Sequence, residues 1–230
     1  MKDTSSVLCV APMQDQDIVA VIGLIKEAVI QEDLPIVADL SEKRYDPFRI
    51  LISTLLSLRT KDEVTREADQ RLFALASTPG EMVRLSESHI AGAIYPVGFY
   101  RNKARTILHV CHELIDRFDS KVPDSIDTLV SIKGVGRKTA NLVVSLGYGI
   151  PAICVDTHVH RVSNRLGYVR TADPEKTEFA LRERLPREHW IEFNSVMIAF
   201  GKTVCRPVSP FCSLCPVFKY CERVGVTASR

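Results

Sequence analysis

Apolar residues return at helical spacing along almost the whole chain, and that regularity excludes most folds. Ala104, Ile107, Leu108, Cys111, Ile115 and Phe118 stand at i, i+3, i+4, i+7, i+11 and i+14, one apolar face of a helix. Val64, Ala68, Leu72 and Leu75 form a similar stripe. No run shows the strict alternation that a half-buried strand requires. The punctuation agrees. Asp46-Pro47 and Asp173-Pro174 each set a capping acid before a first-turn proline, Thr78-Pro79 does the same with a hydroxyl, and Gly147, Gly167 and Gly201 read as stops. The expectation is an all-α protein of roughly ten helices with short connections.

With 230 residues, 46% of them hydrophobic and 25% charged, the chain has enough apolar surface for one large or two small cores and is not a disordered polymer. Its longest uncharged stretch, Thr139 to Val155, is 17 residues broken by Gly147, Gly149 and Pro151, short of the ~20 apolar residues that span a bilayer. Val7 to Met13 is too short for a secretory core and is followed by Asp15 and Asp17. A cytoplasmic protein with no membrane partner is expected. The net charge of +2 hides an asymmetry: residues 1–40 hold two Lys/Arg against seven Asp/Glu, so residues 41–230 carry +7. A basic body of this kind can collect polyanions, although ordinary solvated surface explains the charge equally well.

Seven cysteines leave one over in any disulfide scheme. Cys9, Cys111 and Cys154 are scattered among apolar neighbours and read as buried thiols. Cys205, Cys212, Cys215 and Cys221 instead follow a Cys-x6-Cys-x2-Cys-x5-Cys pattern with Pro207, Pro210 and Pro216 between them. The prolines prevent a continuous helix, so the backbone can loop and aim four thiolates at one centre. Iron and sulfur suit all-thiolate ligation, whereas structural zinc usually has two close pairs; on spacing alone both remain open, as do unliganded thiols.

Around Ile132-Lys133-Gly134-Val135-Gly136-Arg137-Lys138-Thr139-Ala140, two glycines permit positive φ and close approach, and an amphipathic helix starts directly after them. Such a start binds phosphate through unpaired N–H groups and the positive end of the helix dipole. A Walker A loop needs glycine directly before the lysine, where Arg137 stands. A dinucleotide fingerprint lacks its third glycine, replaced by Thr139, and its preceding strand, because 124–132 reads as a short helix. Helix, glycine turn and helix make a helix-hairpin-helix, which grips the DNA backbone without reading sequence. A capped junction inside a helical bundle is the plainer alternative. Taken singly, Lys138 is a solvated surface lysine and Asp156 an N-cap.

Three motifs taken together resemble the endonuclease III branch of the helix-hairpin-helix DNA glycosylases: Gly134-Val135-Gly136-Arg137-Lys138-Thr139-Ala140-Asn141, then Val155-Asp156-Thr157-His158-Val159 with Arg161-Val162, then four cysteines at 6, 2, 5 spacing. The resemblance runs from about Asp46 to Cys221. It implies two helical domains with a cleft between them: a six-helix barrel over about 40–150, and a discontinuous domain from 1–39 and 151–230 holding a [4Fe-4S] cluster in the 205–221 loop. Lys138 would be the nucleophile and Asp156 its assistant, facing each other at the cleft mouth. Lys133, Gly134, Val135, Gly136 and Arg137 would hold DNA phosphate. The implied substrate is double-stranded DNA bearing oxidised or ring-saturated pyrimidines, or abasic sites, and the implied protein is a nucleoid-associated monomer. Adenine-mismatch relatives lack the lysine and hydrolyse with water, so Lys138 favours a bifunctional glycosylase and AP lyase.

The chain departs from the family pattern in places. Ile132-Lys133 stands where Leu-Pro is common, which adds a cation near the phosphate. Arg59 replaces a glutamine common in the family that fills the gap left by a flipped nucleotide, with a bond to the orphaned base and a phosphate contact as equal readings, and Phe99 in Val97-Gly98-Phe99-Tyr100 is the candidate wedge, with a core aromatic as its alternative. Between Cys205 and Cys212 only Arg206 is basic, so DNA contact through that loop is not expected. His109 with His112, and His158 with His160, lack a third ligand, and Trp190 reads as packing.

Overall fold

A computed structural model describes residues 13–29 and 46–230. Cys9 and most of the acidic segment lie outside them. Among the described residues there is no strand, and the helices are α1 (Asp15–Val29), α2 (Pro47–Ser57), α3 (Asp62–Leu75), α4 (Pro79–Met82), α5 (Glu87–Ile94), α6 (Tyr100–Phe118), α7 (Ile126–Val130), α8 (Arg137–Leu142), α9 (Thr157–Leu166), α10 (Pro174–Arg184) and α11 (Trp190–Thr203). The chain is all-α. No helix of the described residues is long and apolar enough to cross a membrane.

The expected caps are hydrogen-bonded. Asp46 accepts from Phe48 N, Thr78 from Glu81 N and Asp173 from Lys176 N, each before a helix opened by proline. Gly167 ends α9 in the left-handed region at φ 82°. Gly201 is not a stop. It lies inside α11, where a Cβ would come 2.6 Å from His158 Nδ1 and 3.0 Å from Arg161 Nη2, so its smallness lets α9 and α11 approach. Leu75 does not continue the α3 stripe either; it is exposed, and the chain turns inward at Ala76.

The described residues fall into two compact units, 46–154 and 13–29 with 155–230. In the first, one apolar core runs from Phe48 to Ala152. Helix α2 is its centre, with Ile50, Leu51, Ile52, Leu55 and Leu56 all buried and α3, α6 and α8 packed around it. Helix α8 passes into a π turn, Val143–Gly147, whose glycine sits against Pro47. In the second unit α11 lies between α1 and α9. Ile18, Val21, Ile22 and Ile25 of α1 are buried, and ion pairs Lys26–Glu192 (2.8 Å) and Arg184–Asp15 (2.8 Å) flank that packing.

Candidate active site

The glycine turn joins α7 to α8. Val135 N–H donates to the Ile132 carbonyl (3.0 Å), and the Ile132 and Val135 side chains are buried, which fixes the turn to the core. Val135 therefore holds the turn, its N–H already spent. Gly134 has φ +100°, and a Cβ there would lie 2.6 Å from Thr106 Cγ2 on α6, so both backbone and space demand glycine. Gly136 differs from the expectation of positive φ. Its φ is −90°, and a Cβ would meet nothing within 4 Å. Its smallness leaves a bare approach to the first N–H groups of α8. That start has no side-chain cap, whereas α2, α4, α5, α9 and α10 are each capped by a carboxylate or hydroxyl. Uncapped N–H groups beside exposed Lys133 suit an anion.

Lys138 is the second residue of α8 and is half-buried. The Cys154 thiol donates to its backbone carbonyl at 3.8 Å, tying the helix start to the segment that leads out of this unit. Cys111 and Cys154 are both buried, and burial pushes the Cys111 thiol up to about 12.

Asp156 caps α9. One carboxylate oxygen, Oδ1, accepts from His158 N (2.8 Å) and Val159 N (2.9 Å), while Oδ2 takes no hydrogen bond among those described. The carboxylate is thus both a structural cap and half available for chemistry. His158 follows it. Burial holds the His158 imidazole below its usual value, and Arg161 and Lys202 push the same way, against Asp156.

The opposite end of α9 holds the cysteine loop. Arg161 Nη2 donates to the carbonyls of Gly201 (2.9 Å) and Cys205 (3.0 Å). Arg165 donates to Arg206 O (2.6 Å), Pro207 O (2.7 Å) and Cys205 Sγ (3.6 Å), and Cys221 Sγ donates to Arg165 O (3.3 Å). Cys205, Cys212, Cys215 and Cys221 line one pocket with Arg165 and Arg223. No three His, Cys, Asp or Glu donors among the described residues come close enough for a single metal ion. Burial pushes Cys215 up to about 11 and Cys221 up to about 12, and the neighbouring thiols add to this. The sequence brings Arg161 in only as part of the second motif, with no anchoring role, and does not single out Arg165; their i, i+4 spacing ahead of the cysteines is the trace of the pair.

Arg59 and Phe99 lie together in the first unit. Both are exposed and left-handed, at φ 53° and 59°, and the guanidinium carbon is 5.9 Å from the ring centre. Phe99 is 61% exposed, so it is not a core aromatic. Trp190 is a packing residue whose indole donates to Leu185 O at 2.9 Å.

Residues 52–187 match the model of the HhH-GPD superfamily of base excision DNA repair proteins. Endonuclease III of Thermotoga maritima is 44% identical over 182 residues, 79% of this chain and 85% of that one. The chain belongs to the endonuclease III family. It spans about half, 48%, of the chloroplastic endonuclease III homolog 1 of Arabidopsis thaliana, to which it is 39% identical over 76% of its own length. A solved endonuclease III trapped as a covalent intermediate with DNA superposes with a TM-score of 0.80 at 34% identity, covering 92% of this chain and 97% of that one. The all-helical architecture is that of a family of base excision DNA repair proteins.

Proposed function

We propose that the chain is a bifunctional base excision repair enzyme, a DNA glycosylase and AP lyase for oxidised or ring-saturated pyrimidines, with Lys138 as nucleophile. The observation that carries this reading is a half-buried lysine in the first turn of an uncapped helix, directly after the glycine turn. The turn supports the reading by holding DNA through backbone N–H groups while Lys133 and Arg137 add positive charge. A damaged base must leave the stack before C1′ can be reached. The Lys138 amine attacks C1′, a C–N bond forms, the glycosidic bond breaks and the base departs. Opening of the sugar ring leaves an imine between lysine and C1′. Removal of a C2′ proton then expels the 3′ phosphate and cuts the strand.

Asp156 is the assisting carboxylate. Its Oδ1 is taken by the helix cap, and Oδ2 remains to accept a proton or balance charge developing on the sugar. Arg59 and Phe99 occupy the space vacated by the flipped nucleotide, a role supported by their exposure and pairing.

The donor set fits a [4Fe-4S] cluster better than zinc. Four cysteines around one pocket suit the all-thiolate ligation of an iron–sulfur centre, and burial makes Cys215 and Cys221 hard to ionise without cationic charge beside them. Cys205, Cys212, Cys215 and Cys221 would hold it, and it would fix their loop against α9. Duplex DNA is the partner, engaged by a monomer.

Borohydride reduction during turnover tests the chemistry. A covalent protein–DNA adduct that disappears in Lys138→Gln is expected; base release by the native protein without any adduct would establish the monofunctional reading instead. A colourless protein with stoichiometric zinc after anaerobic preparation would overturn the cluster.

A further inference from the structure

Lys103 lies on α6, where sequence pattern alone would leave it in water, yet it is only 9% exposed. Its ammonium group has three donors and finds three oxygens: Leu56 O at 2.7 Å, Leu58 O at 2.6 Å and Thr60 Oγ1 at 3.1 Å. The two carbonyls belong to the end of α2, where helix geometry leaves acceptors without partners. The Thr60 hydroxyl also accepts from Gly98 N–H at 3.2 Å. One cation therefore binds the chain leaving α2 and, through Thr60, the loop entering α6. Burial lowers the amine to about 8, which still leaves it mostly protonated at neutral pH with all three donors in use.

These two segments carry Arg59 and Phe99. Both are non-glycine residues in the left-handed region, a conformation that persists only when its surroundings enforce it. Gly98 completes the junction, since a Cβ there would come 2.7 Å from Arg59 O.

We propose that Lys103 is a positioning residue that, with Thr60, locks Arg59 and Phe99 into one preset pair so that both enter the base stack together. The inference rests on the reading of Arg59 and Phe99 as residues that occupy the vacated space. Pre-ordering removes the need to fix two strained side chains at the moment the nucleotide leaves. Lys103 touches no reacting atom, so its effect belongs to nucleotide extrusion.

The test compares duplex DNA bearing a single ring-saturated pyrimidine with a single-stranded abasic oligonucleotide, which has no stack to enter. In the duplex, 2-aminopurine beside the lesion reports unstacking. Lys103→Met is expected to slow both excision and the 2-aminopurine rise by ~10- to 100-fold while cleavage of the single strand changes little. Phe99→Ala should lose a similar factor, and the double variant should be no slower than Phe99→Ala within ~2-fold, because both changes disable one device. Thr60→Val removes the shared oxygen, leaves Lys103 in place and serves if Lys103→Met does not fold. Multiplying losses in the double variant, or equal slowing on the single strand, would overturn the inference. If Phe99→Ala is impaired and both Lys103→Met and Thr60→Val are not, only the role of Lys103 falls. If Arg59→Ala and Phe99→Ala both cut the duplex at the native rate, the underlying reading of the pair falls with it.

Discussion

Replacing Asp156 separates the helix cap it forms from the catalytic role proposed for it. As a cap it satisfies the N–H groups of His158 and Val159 at 2.8 and 2.9 Å through Oδ1 alone. Asparagine offers one carbonyl oxygen and caps about as well as aspartate, so Asp156→Asn should cost only a few tenths of a kcal/mol. Alanine offers no acceptor and should cost ~0.5–2 kcal/mol, a fall in Tm of roughly 1–8 °C for a chain of this size. Catalysis should follow the opposite logic. Both variants remove the negative charge that the proposed role sets beside the reacting sugar, and loss of one such electrostatic partner slows chemistry by ~10²–10³-fold. Thermal unfolding by circular dichroism, paired with single-turnover base release from a duplex resolved on denaturing gels, reads both quantities in the same preparations. The expected pattern is a near-native Tm with crippled turnover for Asp156→Asn, and a lowered Tm with similarly crippled turnover for Asp156→Ala. Near-native turnover in Asp156→Asn would refute the assignment, because a cap alone would then account for the residue.

Gly134→Ala forces a side chain into φ +100° and against Thr106, so a loss of ~1–2 kcal/mol from conformation alone is expected in thermal unfolding, with weaker duplex binding by anisotropy. Thr106→Ala should restore the part of that loss due to the clash. Lys133→Ala should lower the slope of log affinity against log salt by ~0.9 if it neutralises one phosphate, and an unchanged slope would remove it from the interface. The half-buried His158 resists protonation, so the unfolded chain binds a proton that the folded chain refuses as pH falls below about 6.5. The stability it contributes is complete above that pH and is lost below it; Tm measured from pH 7.5 to 5.5 should fall, and less steeply in His158→Gln.

Local rules were readable from sequence wherever one residue decides. Asp46, Thr78 and Asp173 cap helices because a short acceptor before a first-turn proline has little else to do. Gly201 misled because a glycine that breaks a helix and a glycine that admits a neighbouring helix are written with the same letter. The Asp156 cap was legible, but not that Oδ1 alone takes both N–H groups. Lys103 was invisible because an amphipathic pattern allots lysine to solvent; only the returning carbonyls of Leu56 and Leu58, about forty-five residues earlier, explain its burial. Arg165 was hidden in the same way, since its partners at Arg206 and Pro207 are some forty residues later.

Helix α9 is spoken for at both tips: Asp156 caps its start, and Arg165 near its finish grips the loop of Cys205. Ten residues span ~15 Å, and adding or deleting one would swing one tip by ~100° about the axis relative to the other. Loops elsewhere in the molecule can gain or lose residues without such a rotation. Between residues 157 and 166 the number of residues itself is a fixed quantity, so an indel there would be more damaging than most substitutions.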